Sequence, residues 1–313
     1  MNTGRFPALS VCDVICRSIL IALLPLFVLG AYQQAAGQAQ LSDTPAAASV
    51  SSSQPSVAQK AVPKPITEFP ILSFEDAVLA AAKELLDKAA LAASGSGLAS
   101  PRMLTIDPLI DGLTAVQSVA TRSMGAKIVD LVRDKYPQFE LQDFTTETLH
   151  ASPLVLIGTL TAIDKDGQPT GTQRDSYRVW LTLVDLQSDK IIAKARARAQ
   201  LETVDVTPTP HFRDAPAWTE DRASEAYINT CHEGKVGDPI PEAYLDRMLA
   251  AALASDAIDA YDAGRYQEAL DLYTSARSLP DGGQLRLYNG IYLANWKLGR
   301  HAAAAEAFGD IVD

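Results

Sequence analysis

The residues of this 313-residue chain that could carry out chemistry are few and scattered. Cys231-His232-Glu233 is the most reactive-looking triplet. Metal sites and catalytic groups need convergent side chains, and neighbours along an extended chain point apart. The four histidines, His150, His211, His232 and His301, are nowhere closer than about 20 residues, so no H-E-x-x-H or paired-ligand spacing exists. Asp107-Pro108-Leu109-Ile110-Asp111-Gly112 sets two carboxylates after a β-prone run, as cation and phosphate sites do, but turns favour the same residues for backbone reasons. The Gly95-Ser96-Gly97 stretch has neither the third glycine of a dinucleotide fingerprint nor the Lys-Ser/Thr of a phosphate loop, and no G-x-S-x-G occurs. These patterns predict no catalytic residue, no cofactor and no metal. They leave function to surfaces.

The elements that would position such surfaces follow from composition. Lys and Arg number 27 against 38 Asp and Glu, a net charge of −11, so nucleic acid is not an expected partner. A hydrophobic fraction of 47% supports a packed core, and three cysteines build neither a disulfide scaffold nor a four-cysteine zinc site. Length allows about two domains plus extensions.

Residues 1–39 read as an export signal. Arg5 and Arg17 precede an apolar run, Ile19 to Ala31, and a small-x-small site ends at Ala39. That run would span about 20 Å as a helix, short of a bilayer core of about 30 Å. Cleavage near Ala39 is expected, with an uncleaved anchor as the alternative. Cys12 and Cys16 lie before the apolar run, so no lipid anchor is expected, and cleavage would leave Cys231 alone, buried or paired between chains. Residues 40–69 are rich in Ala, Ser, Gln and Pro without sustained periodicity, which predicts a disordered tether. The signal predicts a periplasmic location, with association with the outer membrane or cell wall as a further expectation.

From 70 to 205 the pattern predicts an α+β domain with helices on one sheet face. Ser73 and Asp76 resemble a capping box opening a helix that runs to Ala93. Met103–Ile106 reads as a short strand, and Val116, Ala120, Met124, Ile128 and Leu131 mark a second helix. Three β-prone runs follow at 154–163, 177–186 and 191–199, an antiparallel meander. In the last, Lys194, Arg196 and Arg198 share one face, which charge protection of a solvated edge strand would explain.

Leu156-Ile157-Gly158-Thr159-Leu160 and Leu183-Val184-Asp185-Leu186-Gln187-Ser188-Asp189 give this domain a resemblance. It looks like the envelope domain shared by lipoprotein activators of penicillin-binding proteins, a flagellar outer-membrane protein and the curli secretion lipoprotein. The chain departs from them in lacking the lipobox cysteine. Residues 206–241, rich in Pro, Asp and Gly, read as a connecting segment.

From 242 to 313 an alanine-rich helix, Glu242 to about Ala263, opens an all-α unit. Gly264 and Gly299, Ala269 and Ala304, and Tyr273 and Phe308 share an offset of about 35 residues, similar to the 34 of tetratricopeptide repeats. The resemblance implies a concave face made by Ile258, Tyr261 and Asp262 in the first repeat and Asn289, Leu293, Trp296 and Lys297 in the second, able to bind an extended peptide or partner helix. Trp296 could instead pack under a domain junction. Two repeats are fewer than usual for a closed core, so either the helix from Glu242 and the first domain shield the stack or the chain stops short of something.

Together these readings predict a non-enzymatic exported adaptor that binds envelope proteins, in the service of cell-wall synthesis or envelope assembly. Any membrane association would run through a signal anchor or a partner. The alternative is an oligomerising subunit of a secretion or surface-appendage assembly.

Overall fold

The computed structural model describes residues 70–94, 101–215, 222–279 and 282–312. The expected signal and tether, and the Gly95-Ser96-Gly97 stretch, lie outside the described residues. Helix α1 (Phe74–Ser94) begins at Ser73, whose hydroxyl accepts the Asp76 N–H at 3.1 Å and donates to its carboxylate at 2.7 Å. It buries Ala77, Val78, Ala81, Ala82, Leu85, Leu86 and Ala89 along one stripe. Most of these are small, as are the residues that strand β7 (Lys190–Ala199) turns to the same core: Ala193, Ala195, Ala197 and Ala199. Alanine against alanine lets helix and strand approach closely, and the burial itself supplies the stabilisation.

Seven strands form one mixed sheet. Besides β7 they are β1 (Ile71–Leu72), β2 (Arg102–Ile106), β3 (Ile110–Asp111), β4 (Phe139–Leu141), β5 (Leu154–Ile163) and β6 (Ser176–Asp185). Their order is β1-β7-β6-β5-β2-β4, with β3 continuing beside β5 beyond β2. β5, β6 and β7 pair antiparallel, with an irregularity at Leu183/Val184. β2 lies parallel to both β4 and β5, and β1 parallel to the end of β7. Helix α2 (Val119–Lys135) starts three residues later than its apolar spacing predicts. Ser118 caps it, bonding reciprocally with Thr121, and Ala115 just before takes a left-handed turn at φ 58°.

The protein is α+β, but helices cover more than one sheet face. β5 is buried at all ten positions, because Val155 and Ile157 point away from the α1 side and are apolar too. They pack with Val184 and Ile191 against α5 (Arg222–His232) and α6 (Glu242–Leu245). The expected connector 206–241 therefore holds structure: α4 (Pro210–Asp214) as well as α5. The single helix expected from Glu242 is divided at Asp246–Arg247 into α6 and α7 (Met248–Asp262). A short helix α3 (Thr146–His150) precedes β5.

After α7 come α8 (Tyr266–Arg277), α9 (Leu285–Lys297) and α10 (His301–Val312). The α7–α8 and α9–α10 turns are built alike. Gly264 and Gly299 take φ of 78° and 74°, and the next residue's N–H reaches back to Ala260 and Asn295 respectively, a left-handed helix stop. Gly290 lets α9 meet α8: a Cβ there would sit 2.4 Å from the Tyr273 ring. The described residues form one compact unit. Among the described residues no helix is long and apolar enough to cross a membrane.

Candidate functional site

Of the residues expected to form a concave binding face, Ile258, Tyr261 and Leu293 share one core with a piece of the same chain, while Trp296 lies apart from it. Helix α4 is a single turn with Pro210 at its start, where a missing N–H costs nothing. It brings His211 and Phe212 against α7, α8 and α9, both buried. The His211 N–H donates to the Asp262 carboxylate at 2.7 Å, and its Nδ1 lies 3.0 Å from the Tyr273 hydroxyl. The imidazole stacks on Tyr273 with centroids 5.7 Å apart and meets the Tyr261 ring edge-on at 5.8 Å. Burial, helped by the charge of Arg286, pushes His211 down to about 3, so it is neutral at ordinary pH.

Charges here are matched. Tyr261 donates to Asp214 at 3.0 Å, Lys297 pairs with the same carboxylate at 3.3 Å, and Arg122 of α2 bridges Asp259 at 2.7 Å and Asp262 at 2.9 Å. Ile258, Tyr261, Asn289 and Leu293 are buried, and the Asp262 carboxylate is nearly so. In this conformation those five are covered by the protein itself. Trp296, 52% exposed, and the part-exposed Lys297 reach solvent. Trp296 belongs to an aromatic group at the end of the helical layer. Tyr292 stacks on it at 6.1 Å, His301 meets it at 4.8 Å, and Phe308 lies 5.8 Å from Tyr292.

Between this layer and the sheet lies a cavity with about 40 Å³ open to water. Asp107, Gln117, Phe212, Tyr227, Tyr244 and Arg286 are among its lining residues. Its size suits one or two water molecules rather than a substrate, which needs roughly 300 Å³ or more. Asp107 and Asp111, expected as a pair, have separate roles. Asp111 accepts from the N–H groups of Leu113 and Thr114 and so fixes its own turn. Asp107 is buried and accepts from the Tyr244 hydroxyl at 2.7 Å; burial pushes its carboxyl up to about 6, against the pull of that hydrogen bond and of Arg286. This seam can hold or release one proton in mildly acidic conditions.

Tyr227 repairs the sheet where β2 gives way to β3. Pro108 interrupts the strand there, and the Tyr227 hydroxyl takes the Gly158 N–H at 2.9 Å and lies 3.1 Å from the Gly158 carbonyl. Tyr227, Tyr244 and Arg286 were not legible as a group, because they converge from three separate elements.

The triplet Cys231-His232-Glu233 sits at the end of α5. Cys231 is fully buried, and burial pushes its thiol up to about 12, which leaves no thiolate for chemistry. His232 Nε2 lies 3.0 Å from the Thr159 hydroxyl and 3.2 Å from that of Thr161. Burial, then the charges of Lys194 and Arg178, push it down to about 4. Among the described residues no cluster of three or more His, Cys, Asp or Glu side chains could hold a metal.

No family model and no curated protein matches the chain. Among solved structures, the chain is similar to the LpoB C-terminal domain from Salmonella enterica, with 12% identity over 39% of this chain and 98% of that one and a TM-score of 0.26.

Proposed function

We propose that this protein is a non-enzymatic, exported envelope adaptor, in which helices α7–α10 act as a tetratricopeptide-like pair of repeats and engage a protein partner. The observation that carries this reading is the exposed group Trp296, His301 and Phe308 around the half-buried Tyr292, with Trp296 and Phe308 at 52% and 41% exposure. Large aromatic side chains gathered on a surface are the usual anchors of protein interfaces. The inner face is filled by α4, so the partner docks on the outer end of the layer rather than in the groove. The likeness of the Gly264 and Gly299 turns supports the repeat reading. The apolar run behind Arg17 and the hairpin pattern at 183–189 support export and an envelope role in cell-wall synthesis or assembly.

A photo-crosslinking residue placed at Trp296 in the full chain, expressed in the native cell, tests this. The expected result is an adduct with one discrete envelope protein, and none from the same probe at the exposed Lys83. The mature N-terminus should lie near Gln40. No adduct from position 296, or an unprocessed chain resident in the cytosol, would overturn the reading. Adducts formed only with further copies of this chain would favour the oligomerising subunit instead.

A further inference from the structure

We propose that the cavity between the helical layer and the sheet binds a small carboxylate of the acetate class. Hydrogen-bond donors without acceptors converge on it. Gln117 lines the cavity and is only 7% exposed, yet its side-chain amide meets no hydrogen-bond partner among the described residues. Buried polar groups are paired in about nine cases in ten or more, so an unanswered amide facing a cavity marks a place for an acceptor. Three more donors line the same space: Arg247 at the start of α7, Ser255 within α7 and Arg286 on α9, all half-buried. The Arg247 guanidinium and the Ser255 hydroxyl also have no partner among the described residues. Arg286 donates from Nε to Gln284 at 2.9 Å, which leaves the two outer nitrogens of its fork unanswered.

Charge leans the same way. Asp107 is the one carboxylate among the lining residues, it accepts from Tyr244, and neither arginine forms an ion pair with it. Two cations against one carboxylate leave a positive charge over in a partly desolvated place, and one added carboxylate balances it. Guanidinium forks match the flat pair of oxygens that a carboxylate presents. Size sets the rest of the ligand. About 40 Å³ open to water takes a group as large as one or two waters, which suits acetate better than a tetrahedral phosphoryl group. Ala251 and Ile258 give a methyl group apolar surface to meet.

Acidity enters through Asp107, whose ionised form repels a second carboxylate. Tyr227 and Cys231 of α5, Tyr244 of α6 and Arg286 of α9 surround it, with Arg247 across the cavity and His211 of α4 beyond Arg286. Burial holds both tyrosines well above their ordinary range, the Cys231 thiol up at about 12 and His211 down at about 3. Asp107, raised to about 6, is thus the member of this group that changes charge in mildly acidic to neutral conditions. Carboxylate affinity should fall about severalfold as pH rises through that value.

The test is a saturation-transfer NMR titration of the full chain with acetate at about pH 5.5 and about pH 8, on either side of the Asp107 transition. Acetamide, of the same shape without the charge, and inorganic phosphate are the comparisons. Acetate should bind saturably at the lower pH and more tightly than either. Arg247→Gln and Arg286→Gln should each weaken it by about tenfold, as loss of charge-assisted hydrogen bonds implies. The Arg247 guanidinium holds no partner, so Arg247→Gln is expected to keep the parent's circular dichroism and carries the test if Arg286→Gln does not fold. Asp107→Asn should still bind acetate, with the pH dependence gone. Arg265→Gln/Arg300→Gln, which removes two cations from elsewhere in the helical layer, should leave binding unchanged. Absence of acetate binding, equal binding of acetamide or phosphate, or unchanged binding in the folded arginine variants would overturn the proposal and leave the cavity to water. Equal acetate affinity at both pH values would overturn it too, because an anion in so small a cavity must feel Asp107.

Discussion

Two faces of this molecule gather charged and aromatic side chains, and they do so by opposite rules. On the inner face of the helical layer ion pairs join cations to carboxylates: Arg122 spans Asp259 and Asp262, and Asp214 pairs with Lys297 and accepts from the Tyr261 hydroxyl. On the sheet face around Trp180, Arg178, Lys194 and Arg196 crowd one ring. Both faces stand out as candidate surfaces when only residue types are read. Their internal electrostatics separate them: ion pairs between cations and carboxylates tie the inner face together, whereas at Trp180 three cations lie over one ring, and burial and then neighbouring cations lower the basicity of Arg178 and Lys194.

The comparison breaks first at Tyr273. If the inner face is core, Tyr273→Ala should cost about 3–5 kcal/mol in chemical denaturation, as truncation of a large buried aromatic does. Tyr273 is fully buried, its ring packs against Gly290 and His211, and its hydroxyl meets His211. A loss below about 1 kcal/mol would mean that α4 is a loosely held cover and that the groove opens to partners.

How much of this could be read from the sequence depends on how local the cause is. β5, β6 and β7 lie within two residues of the expected runs, because strand alternation is written in consecutive residues. The start of α1 was legible for the same reason, since Ser73 and Asp76 are neighbours. α4 was not: five residues of mixed polarity carry no period, and Pro210 and His211 form a helix there because Asp262 and Tyr273 wait some 50–60 residues away. The same holds for Asp107, whose environment is set by Tyr244 and Arg286. Helices on the second sheet face escaped notice because β5 reads as a continuous apolar run, which fixes that both faces are buried but not by what.

A smaller effect sharpens the comparison at the seam. Asp107 has its carboxyl raised to about 6, so the folded state holds this proton more tightly than the unfolded chain does. Its contribution is fully present below the ordinary carboxylate range and is lost as pH rises through about 6. Asp107→Asn keeps an oxygen for Tyr244 and carries no charge. It should therefore stabilise the protein by about 2 kcal/mol at pH 8 and by almost nothing at pH 4. His211, lowered to about 3, works the other way, its contribution being lost as pH falls below its unfolded value. It is present in both proteins, so the difference in melting temperature across pH isolates Asp107. A variant less stable at pH 8 would show that the carboxylate is well paired with Arg286 instead.

The smallest effect is at Arg196, and its sign is the informative part. Arg196→Gln removes a cation lying over Trp180, which costs about 0.5 kcal/mol at an exposed site. It also relieves repulsion from Arg178 and Lys194, which returns a similar amount. The net change in stability should fall within about 0.5 kcal/mol of zero. Salt separates the two contributions, because repulsion between charges near the surface is screened within about 10 Å at 0.1 M ionic strength, whereas contact with the ring is much less affected. The variant should thus compare best with the parent at low salt and lose ground as salt is added. An ordinary surface ion pair behaves in the opposite way, its removal hurting most at low salt. If Arg196→Gln followed that pattern, the Trp180 face would be as well matched as the inner face of the helices, and the contrast between the two would disappear.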